Sequence, residues 1–380
     1  MSPFLFLIEQ PIPQQLNQDC HYFSIALNKA REGLGRTWPN PAVGCVVVKD
    51  GEILAVARTQ DSGRPHAESV ALAEAGARAK GATLYVTLEP CCHTGVTGPC
   101  TDKIIAAGIT RVVYGAQDPD QRVSGGGIAQ LQRHKIALSR IADLSLQADA
   151  ERQIASFAHL RKSGRPQIIA KIATSQDGMI ASALGKQTAI TGKESQILVH
   201  ALRAHCDAVM VGAKTVLIDN PQLNVRFGSP ERSPWKIVVD SSLKTDPSAL
   251  LYKNKSVVVH TDSASSKQKL LFESKGIKRI ETRSVNGLVD LPDALNQLGI
   301  QGFCSILLEG GAQLLHSMLV LNLVDELWHF SGPGIIGAQG VPGWLSNDSK
   351  APAFLTDPVA LKIGADYLRV GELQKYPGCG

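Results

Sequence analysis

Runs of apolar residues interrupted by turn signals give the first part of the chain its predicted elements. The β-branched run 42–48, the dipeptide Asp50-Gly51 and the apolar run 53–57 together predict a β-hairpin. An alanine-rich segment then covers residues 67–80, and its composition predicts a helix. The sequence therefore predicts a hairpin followed by a helix in this part of the chain.

The next segments continue the alternation of strands and helices. Residues 83–88 have the pattern of a buried strand, and residues 99–107 predict a second helix that ends at Gly108. Residues 111–115 predict a further strand. Strand, helix and strand in this order predict a largely parallel or mixed sheet with helices on its faces.

The chain changes character at residues 160–166, a short basic segment with Gly and Pro that follows a predicted helix over 144–159. Beyond it, strand and helix patterns alternate again, which predicts a second α/β domain. The strand patterns cover residues 167–173, 208–212, 236–240, 256–260 and 305–308. We expect an N-terminal extension (1–18), a first domain (19–163), a second domain (164–374) and a C-terminal tail (375–380).

The composition is that of an ordinary globular protein. A chain of 380 residues is long enough for two domains, and 44% of its residues are hydrophobic and 19% charged. The eight cysteines are scattered, which favours a reducing compartment over a disulfide framework. The short apolar N-terminal stretch lacks the pattern of a signal peptide, and no apolar run approaches the about 20 residues that span a bilayer. We therefore expect a cytoplasmic protein that does not bind membranes.

The net charge of +5 makes the chain mildly basic. This charge either serves solubility or attracts phosphorylated ligands. Nucleic acid is not an expected partner, because the chain has no dense Lys/Arg stripe and only 5% aromatic residues. The oligomeric state stays open, with a homo-oligomer as one option.

Candidate metal ligands cluster around the predicted helix 67–80. His66 and Glu68 stand at its start, and Cys91 and Cys100 each follow a proline. Taken singly, such residues are more often packed core or surface residues. Together, three His/Cys ligands and a nearby glutamate are typical of a catalytic zinc site, where water takes the fourth position. A structural zinc site is the alternative, and it would need a fourth ligand and no Glu68.

The chemistry of the second half is less explicit. No Gly-x-Gly-x-x-Gly follows its first strand, so the common dinucleotide fingerprint is absent from the sequence. Gly310-Gly311 separate a predicted strand from a predicted helix, which indicates either a phosphate-binding turn or a plain tight turn. Lys171 on an apolar strand is unusual, although it could lie at an edge. Arg203 and Arg226 are either phosphate ligands or solvated charges.

The spacing of the two cysteines resembles one family in particular. Other nucleoside and nucleic-acid deaminases place two residues between these cysteines, whereas here the segment 92–99 separates them. This long spacer is similar to that of the bifunctional riboflavin biosynthesis deaminase/reductases, as are segments 39–44, 63–68 and 117–119. The segments that resemble the reductase half of that family are 171–178, 190–192, 211–221, 223–226 and 309–311.

The resemblance implies an α/β protein in which a cytidine-deaminase-like α/β/α domain precedes a dihydrofolate-reductase-like α/β domain. It implies one zinc ion per deaminase domain, NADPH as second cofactor and a small phosphorylated pyrimidine as substrate. The first domain would hydrolytically deaminate 2,5-diamino-6-(5-phosphoribosylamino)pyrimidin-4-one, with Glu68 moving protons. The second would reduce the ribosyl side chain of the resulting 5-amino-6-(5-phosphoribosylamino)uracil to ribityl, with Lys171 or Asp219 as candidate proton donor.

The resemblance also implies the site residues. The zinc ligands would be His66, Cys91 and Cys100, and the catalytic residue Glu68. The substrate would contact Asn40, His93, Lys171, Gln187, Arg203, Leu223, Arg226 and Glu309. The cofactor would contact Ala173, Ala189, Thr215, Asp219, Ser241, Gly311, Ala312, Gln313, Leu314, Leu315, His316 and Ser317.

Three positions depart from the family pattern. Family members commonly carry a basic residue at the place of Val96, a Trp at that of Ala189 and often a Ser at that of Gln187. The phosphate contacts and part of the cofactor contacts therefore stay open. Two other functions remain as alternatives: an adenosine deaminase acting on RNA, which would need stacking aromatics, and a deaminase with a second domain that only binds a ligand.

Overall fold

The computed structural model of the protein describes residues 18–94, 98–120, 124–186, 188–228, 230–343 and 355–373. The chain divides into two compact units that meet in sequence between Gly164 and Arg165. The predicted extension up to residue 17, the positions Val96 and Gln187, and the predicted tail 375–380 lie outside the described residues. Within the described ranges, every helix is too short or too polar to cross a bilayer.

Among its described residues, the first unit is built on a five-stranded mixed sheet in the order β2-β1-β3-β4-β5. The strands are β1 (Gly44–Lys49), β2 (Glu52–Arg58), β3 (Thr83–Leu88), β4 (Arg111–Ala116) and β5 (Ala137–Arg140). Strands β1, β2 and β3 pair antiparallel, and β3, β4 and β5 pair parallel. This confirms the expected mixed sheet.

The first two strands form the predicted hairpin. Asp50 and Gly51 at its tip both have positive φ, at 49° and 82°, as a tight two-residue hairpin turn requires. Gly44, the first residue of β1, is required for a different reason. A Cβ at Gly44 would lie 1.9 Å from the carbonyl oxygen of Ala26, so only glycine lets the first helix of the unit approach β1 this closely.

The helices of the first unit are α1 (Gln18–Arg31), α2 (Ala67–Ala75), α3 (Cys100–Ala106), α4 (Gly126–Arg133), α5 (Leu144–Gln153) and α6 (Ala155–Ser163). Two predictions of helix length are wrong. The helix predicted over 67–80 ends at Ala75 and continues as a 3-10 turn over Gly76–Ala79. The single helix predicted over 144–159 is two helices, because Ile154, with φ −102° and ψ 6°, leaves the helical conformation between α5 and α6.

The second unit contains a nine-stranded sheet within its described ranges, in the order β11-β10-β9-β8-β14-β6-β15-β18-β17. The strands in this sheet are β6 (Gln167–Thr174), β8 (Ala208–Gly212), β9 (Trp235–Val239), β10 (Ser256–Thr261), β11 (Lys278–Thr282), β14 (Ser305–Leu308), β15 (Glu326–Ser331), β17 (Leu355–Ile363) and β18 (Asp366–Leu373). All neighbours from β11 to β15 pair parallel, and the last two strands join antiparallel. The predicted strands of this half are thereby confirmed, with ends that differ by at most one residue.

Helices and short strands complete the second unit. They are β7 (Met179–Ala181), α7 (Lys193–His205), α8 (Ala213–Asp219), α9 (Ser266–Ser274), β12 (Ser284–Val285), β13 (Leu288–Val289), α10 (Leu291–Ile300), α11 (Ala312–Val320) and β16 (Val341–Pro342). Strand β14 lies in the middle of the sheet, and all four of its residues are buried. Ligands of open parallel sheets bind at the carboxyl ends of the strands. In this unit that edge contains Gly212, the last residue of β8, and Glu309, which follows β14.

Candidate active sites

Three element ends bring the predicted zinc ligands together in the first unit. His66 is the N-cap of α2, with extended φ and ψ of −69° and 157°, so it lies just before the first turn of the helix. Cys91 follows β3, and Cys100 is the first residue of α3. The ligand atoms of these three residues all lie within 4.8 Å of one another.

The distances within this triad fit zinc. His66 Nδ1 lies 3.6 Å from Cys91 Sγ and 3.4 Å from Cys100 Sγ. Tetrahedral zinc, with bonds of about 2.3 Å to sulfur and about 2.0–2.1 Å to nitrogen, places its sulfur and nitrogen ligands about 3.6 Å apart. Two thiols and one imidazole are ligands that zinc prefers. The donor set and its spacing therefore match a three-ligand zinc site with one open position.

The thiols of the triad differ in acidity. Hydrogen bonds from the Cys100 thiol and from His66, together with the Cys100 N–H donated to Cys91 Sγ at 3.4 Å, lower the pKa of Cys91 to about 4. The pKa of Cys100 is raised, because its thiol donates to the Cys91 thiolate and is itself buried. A bound divalent cation would remove this difference between the two cysteines, since it stabilises both as thiolates.

Glu68 lies in the first turn of α2 and is only 4% exposed. Burial raises the pKa of this carboxyl, and the negative charge of Cys91 raises it further. Glu68 and the ligands His66 and Cys91 line the same cavity. A carboxyl that shares the cavity with a three-ligand metal site is positioned to exchange protons with a water molecule bound there.

A second carboxylate, Glu89, anchors the loop that carries Cys91. It is buried, and its two oxygens accept hydrogen bonds from the backbone N–H groups of Asp118, Gly125, Gly127 and Ile128 at 3.0–3.3 Å. The last of these N–H groups belong to the start of α4, which attracts a negative charge. Glu89 therefore fixes the position of Pro90-Cys91. The sequence showed Glu89 beside the motif but gave no sign of these distant partners.

The cavity of the first unit has a volume of about 380 Å³. Asn40 and His93, both predicted to contact substrate, line it. The Asn40 amide donates to the carbonyl of Gly63 at 2.8 Å, which fixes the orientation of its side chain. Further lining residues that sequence reasoning missed are Arg64, Asp118, Asp120, Phe157 and Arg161. Burial raises the pKa of Asp118, the charge of Glu89 adds to this effect, and the charge of His93 opposes it.

In the second unit, two predicted substrate residues bind each other. Arg203 Nε lies 2.6 Å from Glu309 Oε1, and Arg203 Nη2 lies 2.9 Å from Glu309 Oε2. Lys171 belongs to β6, which has neighbours on both sides, so it does not lie at a sheet edge. Burial lowers the pKa of Lys171, while the negative charge of Glu309 opposes this change. These three residues form one charged cluster at the carboxyl end of β14, level with the middle of β6.

The segment after α8 carries the other predicted substrate residues. Leu223 is buried and has a φ of 48°, a left-handed conformation that costs a leucine about 1 kcal/mol or more and occurs preferentially at functional sites. Arg226 is exposed, and its backbone N–H donates to His200 Nδ1 at 3.0 Å. Burial and the nearby charges of Arg203 and Arg226 lower the pKa of His200 to about 4. Sequence reasoning missed His200, because a histidine on an amphipathic helix looks like a core residue.

Several of the predicted cofactor residues lie at the start of α11. Gly311 is the N-cap of this helix, and Gly212 is the N-cap of α8; neither N-terminus has a side-chain cap. A Cβ at Gly311 would lie 3.6 Å from the Thr215 hydroxyl, so the two predicted cofactor residues are neighbours. Two uncapped helix N-termini after adjacent parallel strands offer N–H groups that fit the phosphates of a dinucleotide.

The structure places the remaining predicted residues as follows. Residues 312–317 lie on α11, Ala173 on β6, Asp219 at the exposed end of α8 and Ala189 in the loop before α7. Ser241, which follows β9, accepts a hydrogen bond from the Val289 N–H at 3.2 Å, and its carbonyl accepts one from Thr261. Gln187 is outside the described residues.

Two family models match the chain, one in each unit. The model described as the cytidine and deoxycytidylate deaminase zinc-binding region matches residues 16–116. The model described as the RibD C-terminal domain matches residues 166–362. The two stretches follow each other in the order expected for a deaminase followed by a reductase.

Similar proteins cover almost the whole chain. The riboflavin biosynthesis protein RibD of Aquifex aeolicus is 38% identical over 84% of this chain and 88% of its own length. That of Escherichia coli is 37% identical over 89% of this chain and 95% of its own. A solved structure from Thermotoga maritima, described as a diaminohydroxyphosphoribosylaminopyrimidine deaminase/5-amino-6-(5-phosphoribosylamino)uracil reductase, is 31% identical with a TM-score of 0.78, and covers 93% of this chain and 98% of its own. The expected fold class, α/β with a deaminase domain followed by a reductase domain, is confirmed.

Proposed function

The chain belongs to the RibD family of riboflavin biosynthesis proteins, which are bifunctional deaminase/reductases, and on that premise we propose which reactions its two domains catalyse and which residues carry them. The first domain removes the amino group of a phosphoribosylated diaminopyrimidine by hydrolysis. The second reduces the ribosyl side chain of the resulting uracil to ribityl. The Thermotoga relative is described by these two activities. The observation that carries the proposal is the triad His66, Cys91 and Cys100, with Glu68 in the same cavity.

Zinc is the metal that fits the triad, and it would be held by His66 Nδ1 and the two thiolates. When bound, it supplies Lewis-acid activation of a water molecule at neutral pH. Glu68 would accept a proton from the attacking water and pass it to the departing amino group. The anchored loop of Glu89 holds Cys91 in place for this chemistry, and Asn40 and His93 orient the pyrimidine ring.

In the second domain, the uncapped start of α11 with Gly311 and Thr215 would hold the phosphates of NADPH, which would supply the hydride when bound. Lys171, on β6 and close enough to Glu309 for their charges to interact, orients the substrate and is a candidate proton donor together with Asp219. The described cysteines are all free, which supports the cytoplasm as the site of action.

Substitution of Glu68 tests the deaminase. We expect Glu68→Gln to reduce ammonia release about 10²- to 10⁴-fold, since it removes the proton carrier and keeps the shape of the side chain. Zinc content and NADPH oxidation with the deaminated substrate should not change. Glu74→Gln is the matched control, because Glu74 is an exposed residue of the same helix. Wild-type ammonia release by Glu68→Gln would mean that the zinc site is structural.

A different pair of variants tests the reductase. A methyl group at Gly311 meets only ordinary contacts within the protein, yet it would occupy the surface that the cofactor approaches. We expect Gly311→Ala to fold normally and to raise the KM for NADPH about tenfold or more. Gly334→Ala serves as control, since nothing lies within 4 Å of the added Cβ. If the wild type oxidises no NADPH with the deaminated substrate, the second domain only binds a ligand.

A further inference from the structure

Part of the lining of the deaminase cavity comes from residues outside the matched zinc-binding region. The matched zinc-binding region ends at residue 116, and the matched reductase stretch begins at residue 166. Helix α6 lies between them and contributes Phe157 and Arg161 to the cavity that His66 and Glu68 also line. Residues four apart on a helix share one face, so the two side chains reach the cavity together.

Arg161 is held by an aromatic ring and by no carboxylate. Its guanidinium carbon lies 4.8 Å from the centre of the Phe157 ring, within the range of a cation–π contact. Among the described residues, Arg161 forms no hydrogen bond or ion pair. Phe157 itself is buried, with only 8% of its surface exposed. Stacking on a ring leaves all five guanidinium N–H donors available to a ligand.

The acidic residues of the cavity have other partners. Glu89 is bonded to four backbone N–H groups, and Asp118 accepts the backbone N–H of Asp120 at 2.9 Å. The second arginine of the cavity, Arg64, lies at the metal end. The pKa of His66 is raised chiefly by its hydrogen bond with Cys91, and the charge of Arg64 acts on it in the opposite direction. Arg161 is therefore the arginine whose charge is left for a ligand.

We propose that Arg161, positioned by Phe157, binds the phosphate of the phosphoribosyl substrate in the deaminase site. This inference rests on the proposed function. A guanidinium donates two parallel hydrogen bonds to a phosphate, which gives both affinity and orientation. Within the cysteine spacer, the side chain at position 96 is a valine, which offers no donor to a phosphate. Helix α6 thus makes this deaminase selective for a phosphorylated pyrimidine over its nucleoside.

The test compares the phosphorylated substrate with its dephosphorylated form. We expect Arg161→Gln to lower kcat/KM for the phosphorylated substrate about 10- to 100-fold, the loss typical of a charged hydrogen bond, mainly through KM. The kcat/KM for the dephosphorylated substrate should stay within about twofold. Phe157→Leu should give a smaller loss of the same selectivity, because it removes only the support. Lys162→Gln is the matched control, since Lys162 is exposed and does not line the cavity.

Two results would overturn this role of Arg161. One is an equal loss with both substrates, which indicates a structural role, and the other is no loss with either. Binding of ribose 5-phosphate, measured by calorimetry, separates this inference from the proposed function. If the wild type released no ammonia, the proposed function would fail. Arg161 would still be supported as a phosphate ligand if Arg161→Gln bound ribose 5-phosphate more weakly than the wild type and Lys162→Gln. Equal or undetectable binding by all three proteins would exclude it.

Discussion

Arg203 and Glu309 form a two-point ion pair, with Nε–Oε1 and Nη2–Oε2 distances of 2.6 and 2.9 Å, that joins α7 to the residue after β14. Their side chains are 12% and 9% exposed, and Arg203 Nη1 also donates to the Asn224 carbonyl at 3.2 Å. The guanidinium thus has protein partners on three of its nitrogens. Through the Asn224 carbonyl, the pair holds the segment that carries Leu223 and Arg226 against α7.

Breaking this pair from one side should destabilise the second domain. Glu309→Gln leaves a buried guanidinium without a counter-charge, so we expect a loss of about 2–4 kcal/mol in the free energy of unfolding. Urea unfolding at neutral pH measures it. The control is Glu273→Gln, which breaks the exposed pair with Arg279 and should cost less than about 1 kcal/mol. Equal effects of the two substitutions would show that the Arg203–Glu309 pair contributes no more than a surface pair.

The sequence predicted the metal triad because its ligands stand at the ends of elements with strong local signals. A proline and an alanine-rich run mark the start of α2, and a buried-strand pattern ends just before Glu89. Elements with such strong local signals form where the sequence predicts them. The partners of Glu89 were not predictable, since they are backbone N–H groups of residues 29 to 39 positions away in sequence. The pairing of Arg203 with Glu309, 106 residues apart, has no local signal either.

The wrong helix prediction has a similar cause. Residues 144–159 have one continuous helical pattern, and periodicity gives no signal of the break at Ile154, which is buried together with Ala150. Beyond the break, α6 contributes Phe157 to the lining of the cavity.

Cys91 and Cys92 are adjacent in sequence and should differ in their effect on zinc. Only Cys91 belongs to the triad; Cys92 Sγ lies against Gly126, where an added Cβ would be 2.7 Å away. We expect Cys91→Ser to lose zinc on dialysis. Removal of a residue that only supports a metal ligand lowers zinc affinity about 10- to 100-fold, and removal of the ligand itself should lower it further. Cys92→Ser should retain one zinc per chain. Metal analysis of the two purified variants measures this, and zinc loss from both would refute the assignment of the triad.

Two glycine substitutions near the zinc loop should also differ. A Cβ at Gly127 would lie 2.0 Å from the Pro90 carbonyl oxygen, and the Gly127 N–H donates to Glu89 at 3.1 Å. Gly127→Ala must therefore displace Pro90-Cys91, and we expect about 2–4 kcal/mol of destabilisation with weaker zinc retention. Gly98→Ala, within the cysteine spacer, should have little effect, because nothing lies within 4 Å of its added Cβ. Thermal unfolding and metal analysis distinguish the two; normal zinc retention by Gly127→Ala would contradict the role of this contact.

His329 should make the second domain less stable in mild acid. It is buried on β15, with Nε2 2.9 Å from the Thr174 hydroxyl, and burial together with the charge of Arg369 lowers its pKa from 6.5 to about 4. A histidine with a lowered pKa in the folded state favours unfolding when it is protonated. Its contribution to stability is therefore fully present above pH 6.5 and is lost progressively as the pH falls toward 4.

At pH 5 the expected loss relative to pH 7.5 is about 2 kcal/mol from this group. Urea unfolding at the two pH values measures it in the wild type and in His329→Gln, whose amide can still bond to Thr174 but cannot be protonated in this range. The variant should lose about 2 kcal/mol less than the wild type. Arg369→Gln should give an intermediate value, because it removes the nearby positive charge and keeps the buried imidazole. The same pH dependence in all three proteins would show that His329 is not protonated on unfolding between these pH values.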